Sequence, residues 1–456
     1  MKKIVSMLFA VLILNASDDI TSNSLTLSEA IEVLKSENLE IKTASLDVDS
    51  AKADEKTASG NHWGKLDLVQ DVVTSNDAGN VFGFKLTSRE ANFGDFGAKE
   101  FMDNFMAGNP NYTTPPHDLN YPDRRNFFQT KLKYEVPVFT GFQITSYVEI
   151  MESMKKMKKL EKSKVVNEKI YQLRKSYYDM ALLQSSTKNL NKILTNIETL
   201  ENMTKQMIEV GYAKKVDLLE VQAKKGNVER LILEMKSNQE LLYHYISFLL
   251  NKKVTNIVVP SQDVAMPSFD TDEILNNNLD IQRASTGLEV RKSMVGVSKS
   301  AYYPMVGAFA EVGTADDSFL GDASDHKSYT IGARLTWNLF NGGIDGAKVE
   351  KARIEQLKTK TQVALAKKGI RLKVDKIRTQ IKTYDAEIDS LQKELILADT
   401  IYKNYEGRYR EKLASMSDVI IKQSQQIQKI LELQMAHNKR NERIFALEKL
   451  ANGENR

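Results

Sequence analysis

The sequence predicts a mainly α fold with a β-barrel part. Long helices form an α-helical, coiled-coil barrel that continues into a twelve-stranded transmembrane β-barrel, built by three copies, and the chain carries an internal two-fold sequence repeat. Three observations predict it. Prolines are absent from 138–259 and 305–456, so long helices are permitted there. Two segments alternate apolar and charged residues with period two, as strands with one face in lipid do. Finally, VPVFTGF (136–142) and WNLFNGG (337–343) end such segments alike, with Phe139 and Phe340 lying 201 positions apart.

The N-terminus reads as an export address. Lys2 and Lys3 precede an apolar run from Ile4 to Leu14, and Leu14-Asn15-Ala16 ends on a small residue. A run of about eleven residues is too short to span a bilayer and has the layout of a secretory signal peptide over residues 1–16. Elsewhere no apolar stretch reaches the roughly 18–20 residues of a spanning helix. Removing 1–16 takes away two lysines and no acids, so the net charge of +4 falls to 4 − 2 = +2. So small a balance excludes a nucleic-acid partner. With no cysteine, disulfides and thiolate chemistry are excluded too.

The first repeat (17–260) is predicted to hold a helix at 27–60, strands at 65–86 and 127–139, an extracellular loop at 88–125, a long helix at 142–210 and a return helix at 216–250. The second (261–456) is predicted to hold a helix at 271–300, strands at 305–313 and 328–340, a long helix at 343–411 and a return helix at 417–451. Helix starts are marked by Thr26 with Glu29, at capping-box spacing, and by Asp270 with Glu273. From Ile370 to Tyr409 the apolar residues step by four and three without a break: Ile370, Val374, Ile377, Ile381, Tyr384, Ile388 and onward. That narrow heptad seam packs on neighbouring helices rather than into a globular core.

In the strands, Phe128, Thr130, Leu132, Tyr134 and Val136 share one face, while Gln129, Lys131, Lys133 and Glu135 share the other. Tyr329, Ile331, Ala333, Leu335 and Trp337 repeat the pattern, opposite Arg334 and its neighbours. Trp337 reads as an interfacial anchor or packing residue. Lys131, Lys133 and Arg334 are the expected pore-lining residues, with the lysines favouring anionic cargo.

The repeat can be measured. Asn38-Leu39-Glu40-Ile41 answers to Asn278-Leu279-Asp280-Ile281, 240 positions on. Past the strands the offset is 201, from Gly141 to Gly342 and from Asp217 to Asp418. The 39 extra residues of the first half fit the loop carrying GNPNYTTPPHDLNYPDRR. Four strands cannot close a barrel, and lipid tolerates no open edge, so the chain must assemble. Three copies supply the twelve strands.

The strand ends, the order of elements and the stretch VGYAKKVDLLEVQ (210–222) resemble the outer-membrane efflux protein family, the TolC-like outer membrane channels. The opening LTLSEAI (25–31) is similar to the start of that family's first helix. The resemblance implies a homotrimer in the outer membrane of a Gram-negative bacterium, extending into the periplasm. It implies a passive exit duct of a tripartite efflux or type I secretion system, meeting a periplasmic adaptor and an inner-membrane RND or ABC transporter as well as outer-membrane lipid. It also places the periplasmic tip at the helical turns. There Val210, Gly211 and Tyr212 match the family's Val-Gly-Leu docking motif except at Tyr212, while Lys412 stands where Gly is expected and Leu413 is kept. Asp217, Glu220 and Asp418 are then the tip carboxylates, with Ile421 where a further Asp is expected.

Plainer readings compete with these roles. Asp217 and Asp418 fit simple N-caps, Gly211 fits a C-cap glycine, and the lysine run at 155–164 fits a solvated helix face. The competing functions are a periplasmic adaptor (membrane fusion) protein and an exported coiled-coil scaffold. An adaptor typically has one helical hairpin, not two, and a scaffold leaves the alternating strands unexplained. No enzymatic activity, cofactor or metal is expected. The five histidines (62, 117, 244, 326, 437) show no H-x-x-x-H pair, and there is no P-loop or nucleophile elbow.

Overall fold

The computed structural model describes residues 24–260 and 264–452. The signal peptide expected at 1–16 lies outside the described residues. In order, the elements are α1 (Leu27–Glu37), α2 (Leu39–Gly60), β1 (Lys65–Ser75), α3 (Ala78–Thr87), α4 (Ala98–Met106), α5 (His117–Asn120), β2 (Arg125–Phe139), α6 (Gln143–Glu209) and α7 (Lys215–Leu250). Then come α8 (Thr271–Asn277), α9 (Leu279–Lys299), β3 (Met305–Asp316), β4 (Lys327–Thr336), α10 (Ile344–Arg410) and α11 (Met416–Ala451). The repeat is metrically close: α6 and α10 each hold 67 residues, and α7 and α11 each hold 36.

Residues 24–49, 156–285 and 361–452 make one compact unit, entirely helical in its regular elements. Its apolar residues gather in separate clusters rather than one core, as a narrow seam requires. Leu34, Ile170, Leu173, Tyr177, Ile246 and Leu249 form one cluster, and Ile274, Val374, Ile381, Ile444, Phe445 and Leu447 another. Each fully buried aliphatic or aromatic side chain contributes about 1.5–3 kcal/mol.

The helix expected over 27–60 is two helices, and so is the one expected over 271–300. The cause is an asparagine in each repeat. Asn38 is extended (φ −62°, ψ 125°), and its Nδ2 donates to the Leu249 carbonyl at 2.7 Å while its Oδ1 accepts from the Ile41 N–H. Asn278 does the same with the Leu450 carbonyl at 3.0 Å and the Ile281 N–H. The NLEI and NLDI motifs are thus helix breaks that clasp the end of the same repeat's return helix. Thr26 and Glu29 close the capping box of α1, whereas Asp270 caps α8 without a side-chain bond.

Residues 50–155 and 286–360 form the second unit, built around an antiparallel sheet in the order β1-β2-β3-β4. Its register pairs Leu66 with Tyr134, Lys133 with Glu311 and Ala310 with Ile331. A bulge at Pro137–Phe139 absorbs the proline, which cannot donate to a ladder.

Three strands end elsewhere than the sequence reading sets them, and β2 starts two residues earlier, at Arg125. The strand expected over 65–86 stops at Ser75, because the Asp77 side chain accepts the Asn80 N–H and starts α3. The alternating Phe82, Phe84 and Leu86 are therefore helical, and Phe84 stacks on Phe127 with ring centroids 4.2 Å apart. β3 runs on past 313 to Asp316, and β4 ends at Thr336, before Trp337. The Trp337 indole N–H donates to the Tyr302 carbonyl at 3.2 Å. The region 88–125, expected as a plain loop, carries α4 and α5, with Glu100 accepting from the His117 N–H.

The glycines of the two strand-ending motifs have different causes. Gly141 has φ +61°, and a Cβ there would lie 2.7 Å from the Ser300 carbonyl oxygen and 2.8 Å from Tyr303 Cβ. Gly342, at φ +56°, has nothing within 4 Å, so only its backbone conformation calls for glycine.

Candidate functional site at the helical turns and the sheet face

Two turns, one per repeat, reverse the long helices onto the return helices. They share one geometry. After α6 the Tyr212 N–H bonds the Met207 carbonyl at 2.7 Å and the Gly211 N–H bonds that of Ile208 at 3.0 Å. After α10 the Leu413 N–H bonds the Arg408 carbonyl at 2.7 Å and the Lys412 N–H that of Tyr409 at 3.0 Å. Both are Schellman closures, which need a left-handed residue one position past the C-cap. Gly211 supplies it at φ +77°, and Lys412 holds the same conformation at φ +64° despite its side chain.

The two departures from the family motif meet each other. Lys412 Nζ lies 3.3 Å from the centroid of the Tyr212 ring, a cation–π contact between the two turns. Exposed pairs of this kind contribute about 0.5–1 kcal/mol. The surrounding surface is apolar and open: Val210, Tyr212 and Leu413 are each about two-thirds exposed. Beneath it Val221, Val228, Met416, Val419 and Tyr409 are buried together. The Tyr409 hydroxyl lies 3.3 Å from Thr204 Oγ1. Burial pushes the Tyr409 phenol above its ordinary range, and the nearby Asp217 carboxylate adds to the shift.

Asp217 and Asp418 are not N-caps. They stand at the third position of their helices, and the N-cap residues are Lys214 and Ser415. Asp217 Oδ2 accepts the Lys214 backbone N–H at 2.8 Å, and Asp418 Oδ2 accepts the Ser415 hydroxyl at 2.6 Å and its N–H at 3.2 Å. A carboxylate one turn inside a helix N-terminus is favoured by the helix dipole as well. The Ser415 hydroxyl, then its N–H, holds the Asp418 carboxyl below the usual carboxylate range. Glu220 is half-buried on α7, one turn past Asp217.

The sheet has one apolar and one charged face. Register places Leu66, Leu132, Tyr134, Ala310, Val312, Tyr329 and Ile331 on the first. Lys131, Lys133 and Arg334 share the second with Lys65, Asp67, Glu135 and Glu311. Lys133 pairs with Glu135 at 2.7 Å and with Glu311 at 3.7 Å. Of the two lysines expected to favour anions, Lys133 is therefore matched by carboxylates of its own strand and of β3, and the face is mixed in sign rather than cationic.

Residues 271–453 match the family model described as outer membrane efflux protein. The matched segment spans most of the second repeat. It holds α8 to α11, β3 and β4, and with them Lys412, Leu413, Asp418 and Arg334. No sequence among curated proteins matches the chain. Solved structures match its fold over nearly the whole length. CusC superposes with a TM-score of 0.77 at 13% identity, covering 93% of this chain and 91% of that one. The open state of the Neisseria gonorrhoeae MtrE outer membrane channel gives 0.74 at 14%, covering 93% and 88%. The Campylobacter jejuni CmeC outer membrane channel gives 0.75 at 14%, covering 94% and 85%.

The tyrosine–lysine contact across the turns is what sequence reasoning missed. The 201-residue offset sets Lys412 of the second repeat on Gly211, but an offset relates equivalent positions and is silent about which side chains touch.

Proposed function

We propose that the chain is one third of an outer-membrane channel, the exit duct of a tripartite efflux or type I secretion system. It conducts substrates passively from a periplasmic adaptor and an inner-membrane RND or ABC pump to the exterior of a Gram-negative cell. The observation that carries this is the sheet: four antiparallel strands, one face apolar and the other charged, with the outer edges of β1 and β4 unpaired among the described residues. An apolar face suits lipid and a charged face suits a water-filled lumen. Open edges in lipid need partners, and three chains give a twelve-stranded barrel. Lys131, Lys133 and Arg334 then line the pore.

In this reading the exposed Val210, Gly211, Tyr212, Lys412 and Leu413 dock the adaptor, and Asp217, Glu220 and Asp418 ring the periplasmic opening. In the outer-membrane fraction, unheated protein is expected to run on a denaturing gel as a species of three chains that collapses to one on boiling. A soluble monomer would end the proposal. The ring has its own test. Asp217→Asn with Asp418→Asn keeps a side-chain oxygen for each helix start while removing the charge. The pair is expected to raise closed-state conductance in planar bilayers and to weaken block by divalent cations, and identical traces would remove the carboxylates from the gate.

A further inference from the structure

One end of the sheet, where Ser75 pairs with Arg125 and Thr314 with Lys327, carries a cluster that neither the turns nor the sheet face uses. Glu90, Asp316 and His326 each offer one ligand atom there, and the three atoms lie within 4.8 Å of one another. Asp316 is aimed by its own loop: its carboxylate accepts the N–H of Asp317 at 2.6 Å and that of Asp322 at 2.5 Å. Gly321 lets the loop close this tightly, because a Cβ at that position would lie 2.1 Å from Asp316 Oδ2. Ser88 and Arg125 both donate to Glu90 Oε2, which leaves Oε1 without a bond among the described residues. His326 Nδ1 is buried, has no hydrogen-bond partner, and sits 3.8 Å from Asp316 Oδ2. Thr314 Oγ1, on the same face two residues before Asp316, is also buried without a partner.

A buried imidazole nitrogen left unbonded beside two carboxylates is costly unless something fills the space between them. We propose that Glu90, Asp316 and His326 bind a first-row divalent cation of the Zn2+ type, tying the segment after α3 to the β3–β4 connection. One imidazole and two carboxylates suit such an ion better than Ca2+ or Mg2+, which take oxygen ligands almost alone. Bonds of about 2.0–2.2 Å require the widest ligand separation to close by roughly 1 Å, a small rotation of the side chains. Arg125 offsets part of the carboxylate charge on Oε2 and turns Oε1 toward ligation. Three protein ligands leave a coordination position for water. Sequence alone hides the site, since Glu90 and His326 are separated by most of the first repeat and part of the second.

The test uses full-length protein in detergent, stripped with chelator and then loaded with ZnCl2. Metal retained through gel filtration is counted by elemental mass spectrometry. One ion per chain is expected, with affinity falling about tenfold or more in His326→Gln and unchanged in the control His117→Gln. No stoichiometric zinc, or equal affinity in His326→Gln, overturns the site. Should His326→Gln not fold, the wild type decides. Zn2+ is expected to shield His326, and not the exposed His117, from diethyl pyrocarbonate in peptide mapping, and equal labelling with and without zinc overturns the site.

Discussion

Gly64→Ala is expected to prevent the first hairpin of the sheet from closing. Gly64 has φ +68° and ψ −156°, a region open essentially to glycine alone. A Cβ there would sit 1.9 Å from the Glu135 carbonyl oxygen and 2.7 Å from Val136 Cα, so the obstacle is backbone and cannot rotate away. The site lies at the start of the ladder, where Lys65 pairs with Glu135. Strain and displacement together cost about 2–6 kcal/mol, a large share of the stability of an ordinary domain. Gly60 is the control, since it is helical and has nothing within 4 Å of an added Cβ. Boil-sensitive gel mobility and urea unfolding read the outcome: Gly60→Ala behaves as wild type, whereas Gly64→Ala loses the compact species. Equal behaviour of the two variants would refute the steric argument.

Phe445→Ala is expected to lower stability by about 3–5 kcal/mol, in the range of aromatic truncation in a packed interior. Phe445 is 1% exposed among Ile444, Leu447 and Ile381. Its ring lies 5.0 Å from that of Tyr178, and the Arg174 guanidinium sits over it at 4.6 Å. Arg174 is itself held by Glu448 at 2.5 Å, so the truncation also leaves a half-buried ion pair without its aromatic floor. The readout is the urea midpoint followed by helical circular dichroism, shifted down with little change in slope. Phe445→Leu, which refills most of the volume, is expected to lose less than half as much. An alanine variant that unfolds at the wild-type midpoint would show that this cluster does not hold the helices.

Much of the architecture was legible because it rests on repetition and on exclusion. Proline-free intervals and a seam stepping by four and three leave little but long helices, and α6 and α10 lie wholly within them. What escaped were features decided by contacts. Phe82, Phe84 and Leu86 alternate like a strand, but one Asp77 cap outweighs that pattern and turns the segment into α3. Asn38 and Asn278 look like ordinary helix residues until their partners, Leu249 and Leu450, are in place. At the turns, the residues expected to matter were in view, yet the contact of Lys412 with Tyr212 joins two positions far apart in the chain. Lys133 reads as an unmatched cation only until the register sets Asp67 and Glu311 opposite it, which no single strand reveals.

The strand order leaves β1 and β4 each with a row of amides and carbonyls facing away from the sheet. Such groups cost several kcal/mol apiece in hydrocarbon if unmet. Under the proposed three-chain assembly the final stage of maturation is not unimolecular: it waits on encounters between chains, and its half-time depends on how crowded the bilayer is. Dilution in lipid, rather than warming, then becomes the way to trap the unassembled chain.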